Sequence, residues 1–123
     1  MSVPSGYGDF PGRASAFGAD GQPAASGFNT VVLSACLSER GVMRYTPAGV
    51  PVVECRLAHR SIQQEAGLGR QVGFEIGAVG MGEMAHQLES LAPGSLMTVS
   101  GFLAPLRKSS RTLLLHLTRI DLN

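Results

Sequence analysis

The stretch QVGFEIGAVGMGEMAHQLESLAPG, residues 71–94, decides the fold, because its hydrophobic period changes part-way. Val72, Phe74, Ile76 and Ala78 alternate with Gly73, Glu75 and Gly77, a period of two that places every second side chain on one face of a strand. From Met81 onward the apolar residues fall at Met81, Met84, Ala85, Leu88 and Leu91. That is the i, i+3, i+4 stripe of a short amphipathic helix, closed by Pro93-Gly94. A strand therefore leads into a helix, and the chain offers one helix only.

Strands lie on both sides of this switch. Residues 30–37 are rich in β-branched and small apolar side chains, with Val31, Leu33, Ala35 and Leu37 on one face. Residues 52–60 alternate, with Val53, Cys55, Leu57 and His59 on one side and Glu54, Arg56 and Arg60 on the wet side. Residues 95–103 and 112–122 supply two further strands. Residues 38–51 contain Gly41, Pro47, Gly49 and Pro51 and predict a long loop or irregular hairpin. Residues 63–71, with Gly67 and Gly69, predict a second connection, and residues 104–110 a third. The order β, β, β, α, β, β predicts an all-β five-stranded OB-fold barrel with its helix between strands 3 and 4. Barrel closure also removes the exposed edges of such apolar strands. An SH3-like barrel or a small sandwich needs no helix at that point.

The chain has 123 residues, enough for one hydrophobic core but not for two domains or a doubly wound nucleotide-binding fold. Its composition changes near Phe28. Residues 1–28 hold six glycines, three prolines, five alanines and four serines against three charges, too little apolar surface to offset the ordering entropy. They predict a disordered Gly/Ala/Pro/Ser-rich tail, followed by a domain over residues 29–123. The tail carries Tyr7, Phe10, Phe17 and Phe28. It reads as a passive extension, as a set of rings that dock on nucleic acid or a partner, or as residues upstream of the natural start. No apolar run approaches the length of a membrane span, and the N-terminus lacks a basic start with an apolar segment, so a cytoplasmic protein with no membrane partner is expected. Cys36 and Cys55 have no C-x-x-C spacing and read as small core residues.

No catalytic constellation is present in the sequence: there is no nucleophile elbow, H-E-x-x-H pair, phosphate-binding loop or zinc-type Cys/His spacing. Gly67-Leu68-Gly69 followed by Gly73 misses the dinucleotide fingerprint by one position. His59, His86 and His116 are scattered over a strand, the helix and another strand. No enzyme activity, cofactor or metal is expected.

The cations are better organised. Arg40 and Arg44, with Tyr45, lie on the first loop; Arg107, Lys108 and Arg111 cluster in the last; Arg60 and Arg70 flank the second connection. In an OB-fold the first and last loops border one groove, and positive charge beside a sheet face suits a phosphate backbone. With a net charge of +1, such a patch must be local. Phe74 and Phe102 read as core, leaving Tyr45 as the stacking platform.

The run His59-Arg60-Ser61-Ile62-Gln63-Gln64-Glu65-Ala66-Gly67, then Arg70-Gln71, resembles the H-R-S-x-Q-E-E-A-G-x-x-R-Q segment of the primosomal replication protein N (PriB) family. Val32-Leu33-Ser34, Pro47-x-Gly49-Val50-Pro51, Val99-x-Gly101-Phe102, Leu115-His116 and Ile120-Asp121-Leu122 extend the likeness over residues 29–122. The resemblance implies an OB-fold homodimer that binds single-stranded DNA in the replication restart primosome and stimulates the PriA helicase at stalled forks, with DnaT as a further partner. Dimer formation also suits the first strand, which has few charges to blunt an edge. The resemblance further implies DNA contacts from Arg44 and from Arg107, Lys108 and Arg111. Well-studied family members carry a tryptophan where this chain has Gly73 and a phenylalanine where it has Leu68. Loss of both groups predicts charge-led DNA contact, or an OB module that works mainly through protein partners.

Overall fold

The computed structural model describes residues 27–123. In chain order the elements are β1 (Val31–Arg40), β2 (Arg44–Tyr45), β3 (Pro51–Glu65), β4 (Leu68–Met81), α1 (Glu83–Glu89), β5 (Leu96–Pro105) and β6 (Leu113–Leu122). The expected tail lies outside the described residues apart from Gly27 and Phe28.

The strands are ordered β1-β5-β6-β4-β3, and β3 returns to pair with β1, so the five long strands close into the expected barrel. The contact of β4 with β6 is parallel, Ala78 and Val79 opposite Leu115 and His116. The pairs of β1 with β3, β1 with β5 and β5 with β6 are antiparallel. Arg44 and Tyr45 pair with Val52 and Pro51, so the first connection is the irregular hairpin. That short β2 makes the helix follow the fourth strand of the chain, although it still lies between the third and fourth strands of the barrel.

Alternation places the core as the sequence predicts. Ala35, Leu37, Val53, Cys55, Leu57, Ala78, Met97, Val99, Leu115 and Leu117 are buried, with Ala85 and Leu88 of α1 packed on them. Each fully buried leucine contributes about 1.5–3 kcal/mol of transfer free energy. His59, on the same phase, is the buried polar side chain among the described residues. Its Nδ1 lies 2.8 Å from the Ser34 carbonyl, which can only accept, so Nδ1 carries the proton. Nε2 then accepts from the Ser61 hydroxyl at 2.8 Å. Both ring nitrogens are satisfied, which lets the imidazole serve as core.

Two glycines permit close approaches. A Cβ on Gly80 would lie 2.8 Å from Leu88 Cδ1 and 2.9 Å from the Met84 backbone, so only a bare backbone lets α1 sit this close to β4. A Cβ on Gly101 would collide with the His116 carbonyl, where the register of β5 against β6 shifts.

Three boundaries differ from expectation. The helix starts at Glu83 rather than Met81, because Gly82 takes φ 63° and ends the strand that contains the exposed Met81. β5 runs on to Pro105 and β6 begins at Leu113, which moves the last loop to residues 106–112. Most of residues 63–71 is strand: β3 reaches Glu65, β4 begins at Leu68, and the link is Ala66-Gly67, with φ of 54° and 78°. Positive φ at both positions is the hairpin geometry that follows the twist of the flanking strands, so no longer loop is needed. Ile62–Arg70 falls in a different compact unit from Thr30–Ser61 and Gln71–Asn123. No described helix is long and apolar enough to cross a membrane.

Candidate nucleic-acid interface

A cleft of about 420 Å³ opens where the end of β1, the wet face of β3, β4 and the β5–β6 loop converge. Glu39, Arg40, Glu54 and Arg56 supply its polar walls, and Leu106, Leu113 and Leu114 its apolar ones. The first and last loops therefore do border one groove, as the barrel topology requires. Alternation explains the lining: Glu54 and Arg56 point away from buried Val53, Cys55 and Leu57, and Leu114 points away from buried Leu115. Leu114 reaches the bare backbone of Gly77, where a Cβ would stand 3.2 Å from its Cδ1. Arg56 was not among the predicted site residues, although its place on the wet phase of its strand could have marked it.

The predicted cations divide by partner. Arg44 is ion-paired with Glu54, and in the hairpin unit Arg70 Nη1 meets Glu65 Oε1 at 2.7 Å. Arg56 Nε is 3.2 Å from Glu75 Oε1 across β3 and β4. These pairs are exposed and so add little to stability, but their carboxylates cancel most of the field a phosphate would feel. Arg40, Arg60, Arg107, Lys108 and Arg111 are exposed and have no carboxylate partner among the described residues. The structure brings Arg40 to the main cleft, bordered also by the loop that carries Arg107, Lys108 and Arg111. Arg60 lines a separate cleft of about 220 Å³ with Ser34, Ala58, Leu96 and Asn123, and so stands apart from that group.

Two aromatic residues, Phe74 and Phe102, depart from expectation. Tyr45 is exposed at 64%. Phe74 and Phe102, expected in the core, are 41% and 40% exposed. Phe74 does share the core phase of β4, but burial along that strand is complete only from Ala78 to Gly80, and the Phe74 ring rests against His59 at 4.9 Å. Phe102 is on the outer phase of β5, between buried Gly101 and half-buried Leu103. Its ring lies parallel to that of His116, centroids 5.0 Å apart and planes 8° from each other.

Three groups among the described residues titrate away from their ordinary values. Burial pushes the Cys55 thiol up to about 11, which keeps it protonated and inert at neutral pH. The hydrogen bond from Arg70, then its charge, holds the Glu65 carboxyl below its ordinary value, and Glu65 raises Arg70 in return.

Residues 29–119 match the model of a family described as another single-strand binding protein family. The chain is 48% identical over 89 residues to the replication restart protein PriB of Bordetella pertussis, covering 72% of this chain and 83% of that protein. Among solved structures it is similar to PriB from Ralstonia solanacearum, with a TM-score of 0.72, 43% identity, and coverage of 78% of this chain and 98% of that one. The wild-type single-stranded DNA binding protein from Thermus aquaticus is similar at a TM-score of 0.61 and 27% identity, over 78% of this chain and 50% of that one.

Proposed function

Since this chain belongs to the single-strand binding protein family, among its replication restart PriB members, we propose that it is a non-enzymatic, cytoplasmic accessory protein of the replication restart primosome. In this reading it binds single-stranded DNA and stimulates a PriA-type helicase at stalled forks, with DnaT as a further partner. The observation that carries the DNA-binding part is the cleft that joins Arg40 to the β5–β6 loop, whose Arg107, Lys108 and Arg111 have no carboxylate partner among the described residues. Unpaired cations along a groove attract a polyanion without regard to sequence, and each phosphate neutralised on a single strand adds about 0.7 to the salt slope.

Action as a homodimer fits the same reading. Among the described residues, positions 31–35 of β1 pair with β5 alone, while pairing with β3 begins at Cys36. That leaves strand edge available to a second copy, beside exposed Val32 and Leu96. Sedimentation at micromolar concentration is expected to give a dimer mass, and a monomer alone would exclude it.

A second reading, an interaction module with little DNA affinity of its own, is favoured by the bare Gly73 and by the carboxylates that pair Arg44, Arg56 and Arg70. Fluorescence anisotropy of labelled single-stranded DNA, titrated at several salt concentrations with and without a PriA-type helicase, separates the two. Salt-sensitive binding by the chain alone, and faster unwinding in its presence, support the first reading. No binding at low salt, with helicase stimulation retained, supports the second.

A further inference from the structure

Phe102 and His116 are direct partners across β5 and β6, and both point outward, since Val99, Gly101, Leu115 and Leu117 take the buried phase. A core has no use for this pair. Phe102 leaves two fifths of its surface in water, yet its ring is held within 8° of the imidazole plane. The backbone beneath is fixed by a contact that only glycine tolerates, Gly101 against the His116 carbonyl. A flat ring pair, ordered before any ligand arrives and half open to solvent, loses little entropy when a third ring lies on it.

The surroundings suit one occupant. Leu114, on the same face of β6 and two residues before His116, lines the main cleft with Arg40 and Arg56. Two residues span about 7 Å of strand, so ring pair and cleft are neighbours. The loop that carries the unpartnered Arg107, Lys108 and Arg111 joins the same two strands. Flat apolar surface beside free cations is the chemistry of a nucleotide, with its planar base and anionic backbone.

We propose that the Phe102–His116 pair is a base-stacking platform for single-stranded DNA, set beside the cationic cleft on the β5–β6 face. This rests on the reading of the chain as a single-stranded DNA binder and adds the site at which a base is held. The platform offers a stacking surface on β5 and β6, where position 73 of β4 has no side chain to offer.

The chain contains no tryptophan, so Phe102→Trp creates a single-tryptophan protein whose emission reports on that position. Titration with oligo-dT, followed by emission and by anisotropy of labelled DNA, is expected to show quenching that saturates at the same DNA concentration as the anisotropy. Phe102→Leu keeps an apolar side chain but removes the ring. It is expected to weaken dT binding about 5- to 150-fold with the salt slope unchanged, provided circular dichroism matches the parent. Full DNA binding with no change of emission in Phe102→Trp would overturn the platform, as would parental affinity in a folded Phe102→Leu variant. Failure of the parent chain to bind DNA at low salt would overturn the DNA-binding reading itself, and the platform with it.

Discussion

Replacing Gly73 by tryptophan asks whether the wet face of β3 and β4 lies on the DNA path. The site accepts the change. Gly73 is exposed, its backbone is not in the left-handed region, and a Cβ there would meet nothing closer than the His59 carbonyl at 3.7 Å, an ordinary contact. No strain offsets the gain, and replacing a strand glycine by an aromatic residue adds up to about 1 kcal/mol of strand preference. The indole would project from the same face of β4 as Glu75, two residues along the strand. Stacking of one base contributes about 1–3 kcal/mol, so Gly73→Trp should tighten dT binding about 5- to 150-fold. The salt slope should not move, since no charge changes. Anisotropy of a labelled dT oligonucleotide at two salt concentrations measures both quantities, and thermal melting checks the fold. A folded variant with parental affinity would show that DNA does not cross this face.

Leu57→Ala and Leu115→Ala, each at a fully buried position, should cost about 2–5 kcal/mol in denaturant unfolding, and a loss below 1 kcal/mol would contradict the core assignment. Gly101→Ala forces β5 away from the His116 carbonyl, so melting should drop by several degrees and disturb the Phe102–His116 stack; an unchanged melt would contradict the close approach. The Cys55 thiol ionises near its ordinary 9.0 when unfolded but only at about 11 in the folded chain, so the folded state retains a proton that the unfolded state loses. Stability should therefore fall as pH rises from about 9 to about 11, by at most about 2–3 kcal/mol, and Cys55→Ala should remove that part of the decline in alkaline melts.

Period carried most of the fold. The alternation of Val53, Cys55, Leu57 and His59 is the burial observed on β3, and the switch of period after residue 80 is the strand-to-helix transition. Turn chemistry was harder to read. Gly67 and Gly69 suggested a loop, whereas one turn at Ala66-Gly67 suffices and the polar residues around it are strand, because a wet hairpin needs no apolar face. Of the cations read from the sequence, the structure brings Arg40 into the main cleft, whereas the exposure of the Phe74 and Phe102 rings was not legible. Hydrophobicity placed Phe102 in the core, although the alternation of Met97, Val99 and Gly101 already put it on the opposite face. Which arginines keep a free charge depends on cross-strand neighbours such as Glu54 and Glu75, and strand register is not written in local sequence.

The central claim is that unpartnered loop cations beside the cleft hold single-stranded DNA. The most direct test is the salt dependence of binding for the parent and for the Arg107→Ala/Lys108→Ala variant, measured by anisotropy on dT, dA and mixed oligonucleotides. With both cations on phosphates, the variant should bind all three more weakly by a similar factor, and its salt slope should fall by about 1.4, twice the value for one phosphate on a single strand. Parental affinity and an unaltered slope in the variant would contradict the account.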